Sequence, residues 1–567
     1  MKIYKNPNCP LFRCRGVILV VVLIVITILS LSVLAYSRFM LSEKRGVSQS
    51  LRQRQARLLA ESGVEYVRYF LMNDEITISE YGGIYDNEDE FCGHIITDGA
   101  IAMTGLDAGL AVSSQFANDP MNIGRFSVVV PKLSSDGCYA GDDFRYGLED
   151  ESCKLNLRWL VQIDAANPGI GRSILSQLPG VTEEIADSIL DWCDEDSEQR
   201  EYGAEDEYYT SLDPPYYTQN KMPDTIDELL LVKGITPKLL YGIDWNRNGI
   251  LDEGEPDESS MSDLDVDAGV MTLGLVSLLT LDSRESNRTS TGETKININQ
   301  EDVEDLRTQL ESRLSNKTWV DYIISLRGQN TGGTSNASNS NNTTSNSAAA
   351  GTNSNNNGTI KSLLDLVQPS TNSSQQSSTN NTGNSAAATA IASPFSNDPV
   401  EMAKYLPELY DNLTVSDTPP IGRININLAP RPVLEIFLNQ KNNSESSGSN
   451  AIADLPDIIE KIISSRDPEK ADIPDDEMRY PFWIYTQGIV KDFELMKRLE
   501  PYFCTQGAVF RANVIGRFDE RSPAVRLEVW FDASEAGKPA KIIRIRDLTE
   551  LGQGFKTESL GLTEYAQ

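Results

Sequence analysis

Residues Val17 to Val33 read VILVVVLIVITILSLSV, and this apolar run decides where the rest of the chain folds. Only one threonine and two serines interrupt it. With the three residues that follow, the run reaches ~20 residues, which is enough for a helix to cross a bilayer. The sequence therefore predicts a chain tethered to a membrane at one end, with the remaining residues folded on one side of it.

The apolar run has three interpretations. A cleaved secretory signal fits poorly, because Tyr36 and Arg38 follow the run where small residues are required. A plain signal anchor fits well. The third interpretation places a cut between Gly16 and Val17, so that a short basic leader is removed and the anchor is kept. This arrangement resembles type IV prepilins. Basic residues flank the run on both sides, so their distribution does not decide in which direction the helix crosses the membrane.

The charge of the chain limits the kinds of molecule that it can bind. The 567 residues hold 50 Lys and Arg against 83 Asp and Glu, for a net charge of −33. Residues 1–72 are basic, so the body that follows carries the whole acidic excess. Such a body repels nucleic-acid phosphates and suits an exported surface that binds cations. No nucleic-acid partner is expected.

Hydrophobic patterning predicts a long helix followed by a mixed fold. Apolar residues recur at helical spacing as far as residue 72, without a proline. Strands are predicted at 125–130 and 155–161, and the segments VFRANVIG, AVRLEVWF and KIIRIR near the C-terminus predict an antiparallel meander. Residues 328–358 and 368–394 are mostly Ser, Asn, Thr, Gly and Ala, and are interpreted as flexible insertions.

Two turns in the acidic central region are typical of helix-hairpin-helix elements. One is Leu178-Pro179-Gly180-Val181, and the other is Val232-Lys233-Gly234-Ile235. Each is followed by a threonine placed to cap a helix. Such elements grip DNA phosphate in many proteins, which leaves a membrane-anchored DNA receptor as the alternative function. The carboxylates around both turns favour a structural or protein-binding role instead.

An Ile-Asn-Ile-Asn repeat occurs twice, at 296–299 and 424–427. Each copy predicts a short strand that leads into a helix, with the second asparagine capping that helix. Residues 154–157 form a weaker copy.

Residues 244–255, DWNRNGILDEGE, predict a calcium-binding loop. The ligands at its alternating positions are Asp244, Asn246, Asn248, Ile250 through its carbonyl, Asp252 and Glu255. Calcium takes six to eight oxygen ligands on a turn tightened by a glycine, here Gly249. Pro256 follows at once, so no ordinary exiting helix can begin. A hydrated acidic turn is the alternative interpretation.

A second set of carboxylates precedes this loop. Asp194, Asp196, Glu205 and Asp206 are candidate ligands of a second calcium ion, since crowded carboxylates repel one another unless a cation or solvent intervenes. An exposed acidic loop explains the same residues equally well.

Catalysis finds little support in this sequence. His94 is the single histidine, and no nucleophile elbow, phosphate-binding loop or HExxH pattern occurs. A calcium-dependent hydrolase is therefore disfavoured, and no enzyme is expected.

Together these segments resemble the K-type minor pseudopilin of type II secretion systems, also called general secretion pathway protein K. The resemblance is carried by Arg15-Gly16 before the apolar helix, LPGVTEEIADSILDWCDEDSE, GAEDEYY, DELLLVKGITPKLLYG, the ININ repeat, and RLEPYF leading into VFRANVIG.

The resemblance implies an α+β fold. A long N-terminal transmembrane and amphipathic helix would pack on a small antiparallel sheet, and a large helical domain with helix-hairpin-helix or SAM-like elements would be inserted between its strands. The implied divisions are 1–16 leader, 17–72 helix, 73–165 first part of the head, 166–290 inserted acidic domain, 291–327 second helical subdomain, 328–358 linker, 359–367 short helix, 368–394 linker, 395–503 remainder of that subdomain, and 504–567 closing strands.

The resemblance also implies partners and a location. The leader would be cut by the prepilin peptidase, and the helix would lie in inner-membrane lipid as a single pass with the head in the periplasm. The I-type and J-type minor pseudopilins would be its neighbours at the tip of a pseudopilus, and calcium would bind the inserted domain. Most pilins carry Glu at the fifth mature position, where this chain has Val21.

Overall fold

A computed structural model gives the fold of this chain. It describes residues 17–96, 123–134, 137, 139–250, 252, 255, 273–331, 360–367, 393–443, 455–467, 477–518, 523–535, 537–556 and 558–561. Both predicted flexible insertions fall largely outside these ranges, as does the predicted cleavage residue Gly16.

The described chain forms fifteen α-helices and thirteen strands. The helices are α1 Val17–Phe70, α2 Glu75–Glu80, α3 Glu88–Phe91, α4 Leu157–Ala166, α5 Ile170–Leu175, α6 Glu183–Cys193, α7 Asp206–Tyr209, α8 Pro237–Tyr241, α9 Val303–Arg313, α10 Lys317–Thr331, α11 Pro399–Asn412, α12 Arg431–Asn443, α13 Leu455–Ser465, α14 Trp483–Thr486 and α15 Phe493–Leu499. The strands are β1 His94–Ile95, β2 Gly124–Leu133, β3 Tyr139–Tyr146, β4 Glu149–Asp150, β5 Leu155–Asn156, β6 Leu279–Thr280, β7 Ile296–Asn297, β8 Leu413–Thr414, β9 Ile424–Asn425, β10 Phe503–Cys504, β11 Val509–Phe518, β12 Val525–Asp532 and β13 Lys541–Asp547.

A seven-stranded antiparallel sheet forms the head of the molecule. Its main path runs β1-β2-β11-β12-β13, with β3 beside β2 and β4 beside β11. Strands β4 and β11 are neighbours in space, yet residues 151–508 separate them in sequence. The whole helical region is therefore an insertion between two paired strands of one sheet.

Helix α1 packs across one face of this sheet through small residues. Ala56 and Ala60 are fully buried against β11, and a methyl group added to Gly516 would lie 2.3 Å from the Ala60 nitrogen. Gly63 meets Val514 and Phe126 in the same way. The helix backbone thus approaches the sheet closely, and its apolar side chains close the core of the head.

The opposite face of the sheet is charged, although the inserted region covers it. Arg511 of β11 donates to Glu149, and its guanidinium lies 3.3 Å from Glu528. Lys154 Nζ lies 2.9 Å from Glu151 and 3.4 Å from Glu149. Burial alone would raise the pKa of Glu149, but the Arg511 and Lys154 cations lower it to about 2. Ion pairs thus join the sheet to the inserted region.

The inserted region has its own large apolar core, and three short parallel strand pairs connect its parts: β5 with β6, β7 with β8, and β9 with β10. The Ile-Asn repeats supply β7 and β9, as predicted. The predicted capping role of their second asparagines is wrong. Asn299 donates to the carbonyls of Ile360 and Val415, and Asn427 accepts from the Trp483 indole at 3.0 Å. Neither asparagine lies beside the start of a helix, so neither can serve as a cap. Both side chains instead connect segments that are distant in sequence.

The weaker copy of the repeat behaves differently. Asn156 Oδ1 accepts from Trp159 N at 3.2 Å and caps α4. The strand predicted over 155–161 is therefore wrong beyond its first two residues. The apolar residues of α4 fit both the alternation of a strand and one face of a helix. The Asn156 cap favours the helix.

The predicted fold class is confirmed. The chain combines a long apolar N-terminal helix, an antiparallel sheet and many helices. Within the described residues, α1 is the one helix long and apolar enough to cross a membrane, and its apolar stretch is wholly unburied.

Candidate metal centres

The loop at 244–255 follows a short, well-defined helix. Thr236 Oγ1 accepts from Leu239 N at 3.2 Å and Pro237 occupies the first turn, as predicted. Gly242 ends the helix with φ +67°, a left-handed conformation that suits glycine. The end of this helix therefore sets the position at which the loop begins.

Asp244 is the centre of the loop. Its Oδ2 accepts from Gly249 N at 2.7 Å, and its Oδ1 accepts from Asn248 N at 3.1 Å. Gly249 has φ +79°, which lets the chain turn back over the Asp244 carboxylate. The loop thus wraps around its first predicted ligand.

The two asparagines of the loop face Asp252. Asn246 Nδ2 and Asn248 Nδ2 donate to Asp252 Oδ2 at 2.7 and 2.8 Å. Their side-chain oxygens accept from the backbone N–H groups of Asn248 and Ile250. Polar side chains from positions 1, 3, 5 and 9 of the loop are therefore joined in one hydrogen-bond network.

Glu255 closes the loop from its far end. Its Oε1 accepts from Trp245 N at 2.9 Å, and its Oε2 accepts from Asp252 N at 3.0 Å. The last predicted ligand thus lies beside the first. Among the predicted positions of the loop, all six lie in the described part of the chain.

The electrostatics of the loop suit a cation. Burial and the nearby Glu255 charge raise the pKa of Asp244 to about 6. Among the described residues, no group of three or more His, Cys, Asp or Glu side chains is gathered closely enough to hold a metal ion alone. A calcium loop does not need one, because amide and backbone carbonyl oxygens supply several of its ligands. The residues present fit calcium, and the site stays a prediction.

Contacts with the head hold this loop in place, and no local sequence pattern indicates them. Arg526 of β12 is fully buried and donates to the Asn246 carbonyl. Asn248 donates to the Gly554 carbonyl, and Gly249 packs on Pro131 of β2. The loop therefore lies between the inserted region and the sheet, where a bound ion would stiffen both.

The second acidic set contains an arginine at its centre. Arg200 Nη1 lies 2.8 Å from Asp191 Oδ1 and also contacts Asp194, while its Nη2 lies 3.1 Å from Asp164 Oδ2. Asp191 is fully buried and Asp164 nearly so. Arg200 and Asp164 were not predicted as part of this site, because nothing in the local sequence indicates that they meet. We name these four residues the Arg200 cluster.

Two predicted ligands of the second ion have free carboxylate oxygens. Asp194 belongs to the Arg200 cluster, and Glu205 lies beside it. Within the described residues, Asp194 Oδ1 and Glu205 Oε1 are buried and have no hydrogen-bond partner. Burial raises the pKa of Asp194 to about 6, and burial together with the neighbouring aspartates raises that of Glu205 to about 7.

The carboxylates of the other two predicted ligands accept hydrogen bonds from other residues. Asp206 Oδ1 accepts from Thr218 N and Oγ1 at 2.8 and 2.7 Å, and Asp196 is exposed, with its Oδ1 accepting from Glu198 N. The second ion also stays a prediction.

The second hairpin turn contacts α6, the helix that follows the first turn. Gly234, with φ +84°, packs on Ile185 of α6, and Lys233 Nζ lies 2.6 Å from Glu184. Thr182 Oγ1 caps α6, as predicted. The turn lysine is thus already paired with a carboxylate.

The predicted processing site lies at the border of the described chain. Gly16 is outside the described residues, and α1 begins at Val17.

Comparison with known proteins confirms the resemblance found in the sequence. Residues 153–243 match the family model for the first domain of type II secretion system protein K. The match ends one residue before the loop at 244–255. It covers the Arg200 cluster and both hairpin turns.

Two curated relatives agree with this match. The chain is 34% identical to the putative type II secretion system protein K of Escherichia coli K12 over 109 residues, 18% of this chain and 33% of the relative. It is 42% identical to the type II secretion system protein K of Aeromonas hydrophila over 72 residues, 12% of this chain and 22% of the relative. The alignments thus span a third or less of these relatives. A K-type resemblance is established, and the alternative of a DNA receptor is not favoured.

A solved complex was also found. The crystal structure of the GspK-GspI-GspJ complex from enterotoxigenic Escherichia coli aligns with a TM-score of 0.31 and 11% identity, covering 90% of this chain and 98% of that chain.

Proposed function

We propose that this chain, whose residues 153–243 match type II secretion system protein K, is a minor pseudopilin that initiates or caps a pseudopilus tip and supports protein export. The observation that supports this most is the position of the matched segment. It lies in a helical domain inserted between paired strands β4 and β11, on a head carried by a long apolar helix. The role is one of assembly and involves no catalysis.

The helix supplies the anchor. Its apolar half, exposed along its whole length, would lie in inner-membrane lipid or against the stems of neighbouring subunits. Its second half packs on the sheet through Ala56 and Ala60. The prepilin peptidase would cut between Gly16 and Val17, leaving the head in the periplasm.

A tip position follows from Val21. A carboxylate at the fifth mature position would meet the N-terminal amine of the next subunit, and it would need such a partner inside lipid. Val21 needs none, so this subunit can have nothing above it. The large insertion would cover the apex, with the I-type and J-type minor pseudopilins below it.

Calcium would strengthen this head. The ligands would be Asp244, Asn246, Asn248, Ile250, Asp252 and Glu255, and the ion would neutralise carboxylates that otherwise repel each other. A second ion would be held by Asp194 and Glu205, whose free buried oxygens support it, with Asp196 and Asp206 beside them. The ions would stiffen the apex of an acidic, exported protein.

The test begins with processing. Replacement of Gly16 by Leu should leave a full-length precursor that mass spectrometry detects in membrane extracts, and export should stop. The matched control is Gly46→Leu in α1, where an added Cβ meets nothing within 4 Å. Native protein that keeps Met1, or that is cut elsewhere, would contradict the proposal.

Assembly is tested separately. Affinity-tagged chain co-expressed with I-type and J-type subunits should recover both, and immunogold label on purified filaments should lie at one end. Label distributed along the shaft would rule out a tip subunit.

A further inference from the structure

A cavity of about 160 Å3, lined by both polar and apolar side chains, lies where three parts of the chain meet. The head contributes the end of α1 and the start of α2. The inserted region contributes residues 285–295 from its first half and Arg423, Arg479 and residues 504–508 from its second half. None of these residues belongs to the candidate metal centres.

The wall of this cavity holds buried polar atoms that lack hydrogen-bond partners. Within the described residues the unpaired donors are Ser286 Oγ, Arg288 Nε, Arg423 Nε and Arg479 Nη1, and the unpaired acceptor is Glu75 Oε1. The Arg479 residue is only 8% exposed. Buried polar atoms without partners are rare in folded proteins, so five around one space indicate that something fills it.

The carboxylates at the cavity crowd around two of its four cations. Arg423 lies 3.1 Å from Glu285 and 3.2 Å from Glu500. Arg479 contacts Glu75 and lies 3.8 Å from Asp411. These four anions therefore share two guanidinium groups.

The other two cations have no such partner. Among the described residues, no carboxylate lies within 4 Å of the Lys295 ammonium or the Arg288 guanidinium. Arg288 Nη2 donates only to the Ala533 carbonyl, at 2.6 Å. Glu285 and Asp411 act on Lys295 from longer range, and burial lowers the pKa of both Lys295 and Arg288. Asp532 and Glu535 act on Arg288 from longer range as well. Two partly buried cations thus face one cavity without a carboxylate in direct contact with either.

We propose that this cavity binds a small oxyanion of the phosphate type, held by Lys295 and Arg288. The unpaired N–H groups and the Ser286 hydroxyl donate to its oxygens. The unpaired oxygen of Glu75 accepts from its protonated oxygen, which a hydrogen phosphate carries and a simple carboxylate lacks. Arginine forks match such tetrahedral oxyanions well.

The size of the cavity agrees with this occupant. The space is large enough for several waters or for one tetrahedral oxyanion with a few waters. Water alone would satisfy the hydrogen bonds, but it would leave Lys295 and Arg288 without an anion in direct contact.

The bound anion connects the head to both halves of the inserted region. Its ligands come from α2, from the segment before β7 and from the segment before α14. An ion that binds only the folded arrangement stabilises it, by an amount that grows with the logarithm of the ion concentration above the dissociation constant. The inference does not depend on the proposed role in secretion.

The experiment measures thermal unfolding of the full chain in detergent, with chelator present and ionic strength held constant with chloride. Inorganic phosphate is expected to raise Tm along a saturable curve. The same curve with glycerol 3-phosphate shows whether the site takes an esterified phosphate as well as the free ion. Lys295→Met and Arg288→Gln should each weaken the apparent affinity at least tenfold.

The matched control is Lys404→Gln, at an exposed lysine of the same region. It should keep the full response to phosphate. Phosphate also stabilises proteins generally, by exclusion from their surface. An equal rise in all four proteins, or no rise in the unmodified chain, would overturn the proposal.

Discussion

The loop at 244–255 and the Arg200 cluster both gather carboxylates, but they differ in what lies among them. In the loop, backbone N–H groups and two asparagine amides bind the carboxylates of Asp244 and Asp252, and no cationic side chain in the described part of the chain bonds to either carboxylate. In the cluster, one guanidinium bonds to Asp164, Asp191 and Asp194. The loop would therefore need an added ion to offset its charges, whereas the protein itself offsets part of the charge of the cluster.

The loop and the cluster also differ in their neighbours. The loop packs against the sheet of the head through Pro131 and Arg526. The cluster lies within the inserted region, between α4, α6 and the segment that follows α6. A change in the loop should therefore loosen the joint between the two regions, whereas a change in the cluster should loosen the inserted region alone.

The largest effect is expected from Arg200→Gln. Removing the cation leaves three partly or fully buried carboxylates that repel each other, at a cost of about 3 kcal/mol in the free energy of unfolding. Chemical denaturation monitored by circular dichroism measures this cost. Arg307→Gln is the control, because its pair with Asp321 is exposed and should contribute less than about 1 kcal/mol. Equal losses from the two variants would show that the cluster does not depend on its arginine.

The next effect is expected from Asp244→Ala combined with Glu255→Ala. At a calcium concentration one hundred times the dissociation constant, a bound ion adds about 2.7 kcal/mol of stability. The double variant should lose the part of this gain that comes from the loop, seen as a smaller Tm difference between calcium and chelator. If the unmodified chain melts identically with and without chelator, the calcium proposal fails.

A smaller effect is expected from Gly249→Ala. The residue has φ +79°, and its new methyl group would lie 2.2 Å from Pro131 Cγ, so both backbone strain and a clash with β2 result. A loss of about 2 kcal/mol is expected. Gly537→Ala is the matched control, with φ +65° and nothing within 4 Å of the added atom. The difference in stability between the two variants measures how firmly the loop is packed on the head. Equal losses would show that the loop does not pack on the sheet.

The smallest effect is expected from Asp196→Ala. This exposed residue should change stability in chelator by less than about 0.5 kcal/mol. Its carboxylate lies near Asp194, so the affinity for the second calcium ion should still fall, as measured by calorimetric titration. An unchanged titration with two ions bound would remove Asp196 from the second site. A single ion in the unmodified chain would remove that site altogether.

Local patterns predicted the parts of the molecule that depend on neighbours in sequence. The helix caps Thr182 and Thr236 and the three closing strands were all found where the sequence predicted them. Errors arose where two local interpretations were possible. Residues 157–161 fit both a strand and a helix face, and Asn299 and Asn427 could serve as caps or as links between segments.

The sequence by itself determined the apolar helix, the acidic body, the calcium-type loop and the K-type resemblance, because each depends on residue types at fixed spacing along the chain. Only the tertiary structure decided that Arg200 neutralises the second acidic set, that Arg526 reaches the Asn246 carbonyl, and that Lys295 and Arg288 face one cavity. These contacts join residues far apart in sequence, and the energy of a buried charge depends on what surrounds it in space.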